Sequence, residues 1–262
     1  MRRPLALSIA LLVAAGSAAT PAAGMRAGAA RAMVRLPAGR YRPLYATPGE
    51  SAAAVAAFRL DRDPVTRGEF LAFVRANPAW RRSAIRPVFA ERGVYLAGWR
   101  GELDAGDATD LRRPVTEVSW FAARAYCAWR GKRLPTVSEW EYAAAASATR
   151  RDAAREPAFV QRVLGLYLRR PRPLPPVEAG TTNVYGVRGL HGLAWEWTED
   201  FNSVLVSDDS RGVGARDHDL FCAGAAIGAT DPGNYPAFLR YAVRAGLTGR
   251  SATETLGVRC AA

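Results

Sequence analysis

Cysteine and histidine are the residue types in this sequence best suited to bind a soft metal ion or to act as nucleophile and base, and both are scarce. The chain has three cysteines, Cys127, Cys222 and Cys260, and two histidines, His191 and His218. Two thiolates can hold Cu(I), and two histidines with a carboxylate can hold non-haem iron. Neither histidine accompanies a nucleophile motif such as G-x-S-x-G. We expect each histidine to be a surface residue in a loop, and we expect no catalytic centre from these side chains alone.

A carboxylate between two indoles is the second feature with chemical potential. The stretch GLHGLAWEWTED places Glu196 between Trp195 and Trp197. Two indoles exclude water and each offers one N–H donor, so the triplet suits a buried carboxylate that accepts hydrogen bonds from indole or backbone N–H groups. We therefore expect a structural role for Glu196 in the core.

The strands and loops that must position these residues are short. Residues 33–45 alternate apolar and polar types around a Pro-Ala-Gly turn, which predicts a hairpin, and residues 58–63 predict a further strand. The terminal segment 256–260 predicts another strand. Residues 79–113 lack periodicity and predict irregular surface, whereas residues 150–170 predict a charged helix on the surface.

Capping residues predict three helices. Thr66 with Glu69, and Thr136 with Glu139, have the T-x-x-E spacing of a capping box. Ser119 is a natural N-cap for a third, alanine-rich helix that ends at a glycine. The sequence therefore predicts short helices combined with small sheets.

The amino terminus has the pattern of a secretory signal peptide, in which two arginines precede a short apolar run and small residues. This run is too short to cross a bilayer and no later run is longer, so we expect no membrane span in the mature chain. We predict a signal peptide over residues 1–19, a flexible linker over 20–32 and one folded domain over 33–262. The mature protein is expected in the periplasm or secreted.

Charge and composition exclude some partners. The net charge is +12, and Lys132 is the single lysine, so nearly all the positive charge is arginine. These arginines are scattered along the sequence rather than gathered with stacking aromatic residues, which argues against a nucleic-acid partner.

The order of the motifs is more informative than any one of them. PVTEVSW, RLPTVSEWEY, NVYGVRGLHGLAWEW and LGVRC follow one another along the chain. This succession resembles the formylglycine-generating enzyme family, the sulfatase-modifying factor domain, over essentially the whole folded region. The resemblance implies an α+β fold, a loop-rich variant of the C-type lectin fold with modest secondary structure. Within the family, the sequence resembles exported accessory proteins such as those encoded beside copper nitrite reductases.

The resemblance also implies a disulfide and a calcium loop. In the family, a cysteine of the S-W helix pairs with the terminal cysteine, and these positions are Cys127 and Cys260 here. The W-E-W loop of the family can bind calcium, but its aspartate and asparagine positions are Gly189 and Leu193 here, which leaves only Glu196. Because calcium takes about six to eight oxygen ligands, we expect this loop to be vestigial and to hold no metal ion.

The family's copper site is missing from the sequence. Members that oxidise a substrate cysteine hold copper with two cysteines five residues apart, and the corresponding positions are Gly228 and Gly233. Glycine offers no ligand side chain, so we expect no copper at this position. Cys222 opens the element that leads into the family's groove and is left over by the implied disulfide. We predict that Cys222, Arg244 and Arg259 lie at this groove.

Two functional hypotheses follow from the resemblance and the missing cysteine pair. The first is an accessory or maturation factor that binds a protein or peptide partner in the groove without formylglycine-type copper catalysis. The alternative is an active oxidoreductase or protein-modifying enzyme with a rearranged site around Cys222. A carbohydrate-binding module is a third class that a lectin-like fold allows.

Overall fold

The computed structural model describes residues 32–45, 52–202 and 233–262, which all belong to one unit of the chain, Arg31–Ala262. The described helices are α1 (Arg67–Ala76), α2 (Trp120–Trp129), α3 (Val137–Ala144), α4 (Pro157–Leu168) and α5 (Tyr235–Ala245). The described strands are β1 (Met33–Leu36), β2 (Gly39–Tyr41), β3 (Ala53–Val55), β4 (Phe58–Asp61), β5 (Trp195–Glu196) and β6 (Leu256–Gly257). Long irregular segments join them, so the fold mixes helix and sheet with modest regular structure, as predicted. Among the described helices, none is long and apolar enough to cross a membrane.

The described strands form two-stranded ladders. β1 pairs with β4 and β2 with β3, both antiparallel, while β5 pairs with β6 in parallel. The predicted hairpin over residues 33–45 is therefore wrong, because β1 and β2 each pair with a later strand. Alternation identifies the side chains that face the core, here Leu36 and Tyr41, but it does not select the partner strand.

Side-chain caps begin three helices as predicted. The Thr66 side chain accepts a hydrogen bond from the Glu69 backbone N–H, and the Glu69 carboxylate accepts one from the Thr66 N–H. Thr136 and Glu139 make the same reciprocal pair at α3, and Ser119 caps α2. Such caps each contribute about 1 kcal/mol and fix the residue at which each helix begins.

Irregular backbone contributes to the core. Residues 79–113 are irregular, as predicted, but they are not confined to the surface. Side chains of this segment that are buried in the core are Ile85, Ala90, Tyr95, Leu96, Trp99 and Ala105. Short 3-10 turns lie at Pro78–Trp80, Asp110–Arg112 and Val177–Ala179. The surface helix predicted over residues 150–170 begins later, at Pro157, and buries Phe159 and Val163.

The main hydrophobic core packs α1 against α2 and the end of the chain. Phe70 of α1 stacks on Tyr126 of α2, with ring centroids 5.5 Å apart. Cys127 and Cys260 are fully buried in this core and form a disulfide across 133 positions. The pairing implied by the family resemblance is thus present, and it ties the carboxyl terminus to α2.

Candidate functional site

The glutamate of the W-E-W triplet lies in a fully buried ion pair with Arg259. The two carboxylate oxygens of Glu196 accept hydrogen bonds from Arg259 at 2.9 to 3.1 Å, and Oε2 also accepts one from Trp140 Nε1 at 2.8 Å. The neighbouring Trp197 instead donates to the Val118 carbonyl at 2.8 Å. Glu196 is structural, as predicted, but its indole partner comes from α3 and not from the triplet.

Arg259 is a core residue, and this corrects its prediction as a groove residue. Its side chain has no solvent exposure. Besides Glu196, its guanidinium donates to the backbone carbonyls of Asp61, Arg62 and Arg188, each at 2.8 Å. These acceptors use all the N–H groups that a guanidinium has, so none is left to contact a partner.

The predicted calcium positions do not fit a calcium ion. Both oxygens of Glu196 face the Arg259 guanidinium, whose positive charge opposes a dication at the same place. Leu193 is 4% exposed and packs over Gly189, where an added Cβ would lie 2.4 Å from Leu193 Cδ1. Within the described residues, no group of three or more His, Cys, Asp and Glu side chains could hold a metal ion.

A second buried ion cluster joins α3 to α5. Glu141 of α3 accepts hydrogen bonds from Arg240 and Arg244 of α5 at 2.5 to 3.1 Å. All three residues are buried, with relative exposures of 5 to 6%. Burial alone would raise the pKa of the Glu141 carboxyl, but the charges of Arg240 and Arg244 outweigh it and lower this pKa to about 2. Two cations against one anion leave the cluster with a net positive charge.

Trp140 connects the two ion clusters. Its indole N–H donates to Glu196, and the guanidinium carbons of Arg240 and Arg244 lie 5.5 and 5.3 Å from the centroid of its ring. An indole face attracts cations electrostatically. The ring therefore helps to hold the excess positive charge of the second cluster away from water.

A chain of hydrogen bonds continues from Arg240 to His191. Arg240 Nη1 donates to the Tyr167 hydroxyl at 3.1 Å, which lies 2.8 Å from His191 Nδ1. His191 Nε2 lies 2.9 Å from the Ala144 carbonyl. Because a carbonyl only accepts, Nε2 carries the proton and Tyr167 donates to Nδ1. Burial and the Arg240 charge lower the pKa of His191 to about 4.

His191 is therefore not the surface residue expected from its place in a loop. The residue is half-buried, and both of its ring nitrogens are hydrogen-bonded within the protein, which removes it as a metal ligand. His218 lies outside the described residues.

An open cleft lies over Glu141, between β2, α3, α4 and α5. Arginine side chains in its lining are Arg40, Arg42, Arg151, Arg155 and Arg240. Acidic residues in the lining are Glu141, which is held by arginines, and Asp152. The predicted groove residue Arg244 is buried and contacts Glu141, so it adds charge to the floor of the cleft from below. Among the described lining residues, arginines outnumber acidic residues.

The family's copper positions fall at the edge of the described chain. Cys222 and Gly228 lie outside the described residues, and Gly233 immediately precedes Asn234, which caps α5 and lines the cleft. The whole sequence has three cysteines, and the disulfide uses two of them. Cys222 is therefore the single thiol of the chain, and one thiol cannot supply the two thiolates of a Cu(I) site.

Of the cluster beneath the cleft, the sequence singles out Arg244 but neither Glu141 nor Arg240. Glu141 belongs to the RLPTVSEWEY motif, which by itself gives this residue no separate role. The signal available for α5 is the spacing of Arg240 and Arg244, four residues apart and thus on one helix face. Their partner is 99 positions away from Arg240, and no sequence pattern connects residues so distant.

The chain is similar to known proteins of one family. A family model described as a sulfatase-modifying factor enzyme 1-like domain matches residues 18–262. The chain is similar to inactive C-alpha-formylglycine-generating enzyme 2 of Bos taurus, with 31% identity over 87% of this chain and 87% of that protein. It is also similar to the formylglycine-generating enzyme of Streptomyces coelicolor, with 29% identity over 94% and 93% of the two chains. Similarity to hercynine oxygenase of Mycobacterium tuberculosis, at 34% identity, covers 55% of this chain and 38% of that protein.

Replacing Glu196 by glutamine will lower the free energy of unfolding by about 3–5 kcal/mol, because Arg259 stays buried without its counter-charge. Calcium or a chelator will leave the denaturation midpoint of the parent protein unchanged. The control is Glu254→Gln, which breaks an exposed pair with Arg172 and should cost less than about 1 kcal/mol. Denaturant titration measures the two variants and the parent protein with calcium or chelator. A parent midpoint that rises with calcium would contradict the structural role of Glu196.

His191 makes stability depend on pH. Its pKa of about 4 in the folded protein lies below the value of about 6.5 expected in the unfolded chain. The unfolded state therefore gains a proton first, and stability is lost as pH falls from about 6.5 towards 4, by about 2 kcal/mol at pH 5. Denaturant midpoints at about pH 7.5 and pH 5 will differ more for the parent than for His191→Gln. Equal differences in the two proteins would show that His191 does not carry this dependence.

Proposed function

Because the chain belongs to the sulfatase-modifying factor family, we propose that it is an accessory or maturation factor that binds a protein or peptide partner without formylglycine-type copper catalysis. The observation that carries this proposal is the Cys127–Cys260 disulfide. It leaves a single thiol in a chain with three cysteines, and the two-thiolate copper site of the family needs two. The similarity to a relative named inactive agrees with this reading.

Partner binding is the role that the cleft over Glu141 supports. Its described lining combines arginines with apolar side chains such as the half-buried Val160. An apolar surface beside charged groups suits a peptide, which presents side chains of both kinds. The buried pairing of Glu141 with Arg240 and Arg244 fixes the floor before a partner arrives, which reduces the entropy lost on binding.

We also propose that residues 1–19 are a signal peptide and that the protein acts in the periplasm or is secreted. A disulfide persists in an oxidising compartment and is rare in the cytosol, and the bond between Cys127 and Cys260 supports export. In the same proposal, the fold is a variant of the C-type lectin fold, and the protein holds neither calcium at Glu196 nor copper at Gly228 and Gly233.

The alternative function is an oxidoreductase or protein-modifying enzyme with a rearranged site around Cys222. The observation that favours it is the similarity to two proteins named as enzymes, a formylglycine-generating enzyme and a hercynine oxygenase. A single thiol can still serve as a nucleophile if nearby positive charge lowers its pKa.

An oxygen-uptake assay separates the two functions. We expect the purified exported protein, supplied with Cu(I) and a cysteine-containing peptide in air, to consume no more oxygen than copper and peptide alone. Mass spectrometry should find no conversion of the peptide cysteine to an aldehyde. Cys222→Ser is the matched control and should behave as the parent does. Uptake by the parent that disappears in Cys222→Ser would overturn the proposal and establish the alternative.

A further inference from the structure

We propose that the cleft over Glu141 binds an acidic peptide segment, whose carboxylates contact the arginine rim while an apolar side chain between them enters the cleft. This inference rests on the proposed function, since it names the chemical class of the peptide partner. It is carried by the charge at the rim, the charge at the floor and the apolar walls.

The rim is rich in exposed arginine. Arg40 lies on β2, Arg42 follows it, and Arg151 and Arg155 lie in the segment before α4. Asp152 is the exposed acidic residue in the described lining. Even without Arg155, which has an interaction of its own within the protein, three cations against one anion leave a net charge of +2 among the described rim residues. Guanidinium groups bind carboxylates with two parallel hydrogen bonds, which makes arginine well suited to acidic side chains.

The floor does not neutralise the rim. Glu141 is the one carboxylate there among the described lining residues, and Arg240 and Arg244 already surround it at hydrogen-bond distance. The low pKa of this carboxyl, about 2, reflects those two charges. The floor therefore adds positive charge, and low-dielectric walls concentrate its field in the cleft.

The frame of the cleft is held by contacts between its elements. Tyr41 of β2 is hydrogen-bonded to Ser138 of α3 at 3.1 Å, and Arg40 Nη2 donates to the Ala52 carbonyl at 2.5 Å. Arg240 reaches Tyr167 of α4 as well as Glu141 of α3. These contacts join four elements, so the cleft is formed before a ligand binds.

The apolar walls favour a peptide over a simple polyanion. Apolar side chains in the lining are Leu44, Phe159, Val160, Val163 and Pro236. Of these, Val160 is half-buried and the others are buried. A phosphate ion, a sulfated chain or a lipid headgroup would use the arginines and leave the exposed part of Val160 in contact with water. A peptide with an apolar side chain between carboxylates satisfies both surfaces, because removing apolar surface from water is favourable.

The test uses the full chain and two short fluorescein-labelled peptides. One has a leucine flanked by aspartates, and the other has asparagines in place of the aspartates. Fluorescence anisotropy should give a Kd at least about tenfold lower for the aspartate peptide, and this preference should weaken between about 50 and 300 mM salt. Equal affinity for the two peptides would overturn the inference, as would undetectable binding of the aspartate peptide.

Matched arginine variants locate the binding site. Arg42→Gln combined with Arg151→Gln removes two rim charges and should weaken the aspartate peptide by about tenfold. Arg92→Gln combined with Arg112→Gln makes the same change in net charge at exposed residues outside the cleft lining, and should change affinity by less than about twofold. Equal losses in both double variants would assign the binding to net charge and overturn the inference.

A cleft-filling variant separates this inference from the proposed function. Val160→Trp places an indole in the cleft, and Val88→Trp, at a residue 54% exposed outside the lining, is its control. Peptides selected on the parent from a random library should lose binding to Val160→Trp alone. A second outcome is that the selected peptides lose binding to Val160→Trp and yet carry no net charge and bind the rim variants as well as the parent. In that case the peptide-binding function stands and the acidic class is wrong. If they bind Val160→Trp as well as the parent, the proposed use of the cleft is wrong.

Competition identifies a different anionic occupant. Inorganic phosphate and vesicles that contain phosphatidylserine are added to the complex with the aspartate peptide. We expect neither to displace the peptide at concentrations comparable to the peptide's own Kd. Displacement by phosphate or by vesicles in that range would make an anion or a membrane surface the occupant and overturn the acidic-peptide inference.

Discussion

The buried guanidinium of Arg259 is the contact on which the rest of the described structure depends. It holds the end of β4 through Asp61, the loop at Arg188 and the strand β5 through Glu196. A buried charge without partners costs several kcal/mol, so these groups have to be assembled together for the chain to fold. The disulfide acts on the same segment, because Cys260 is the next residue and is bonded to α2.

Two consecutive residues of α3 connect the Arg259 cluster to the floor of the cleft. Trp140 donates to Glu196 and so belongs to the Arg259 cluster, while Glu141 binds Arg240 and Arg244 of α5. Consecutive residues of a helix point about 100° apart, which lets α3 contact a structural cluster on one side and the floor of the cleft on the next. The capping box at Thr136 sets where α3 begins and hence where these two side chains lie. The position of α3 therefore affects both the buried Arg259 cluster and the floor of the cleft.

The partners that the described residues supply to the two buried ion clusters lie on β4, β5, α3, α4, α5 and the loop at Arg188. A family member that lacks the copper ligands, as we propose for this chain, can keep this framework, in agreement with the family match over residues 18–262.

Local features were predictable from the sequence, and long-range pairings were not. The caps at Thr66, Ser119 and Thr136 depend on neighbours within three residues, and all three are present. The motif order identified the family, and the family supplied the disulfide. In contrast, the partner of β1, the burial of Arg259 and the contact between Glu141 and Arg240 each depend on residues far apart in sequence. The sequence around an arginine does not show whether its side chain is exposed or buried. The backbone carbonyls that bind a buried guanidinium come together only in the folded chain.

Side-chain NMR of the arginines tests most directly whether a preformed cationic cleft is the working surface of this protein. The Nε–Hε signals of the full-length protein, labelled with nitrogen-15, are followed while the aspartate peptide is added. The account predicts that shifts concentrate at Arg40, Arg42, Arg151 and Arg155, while the fully bonded Arg259 and the remote Arg92 stay unchanged. Shifts spread over arginines outside the cleft, or absent from its rim, would contradict it.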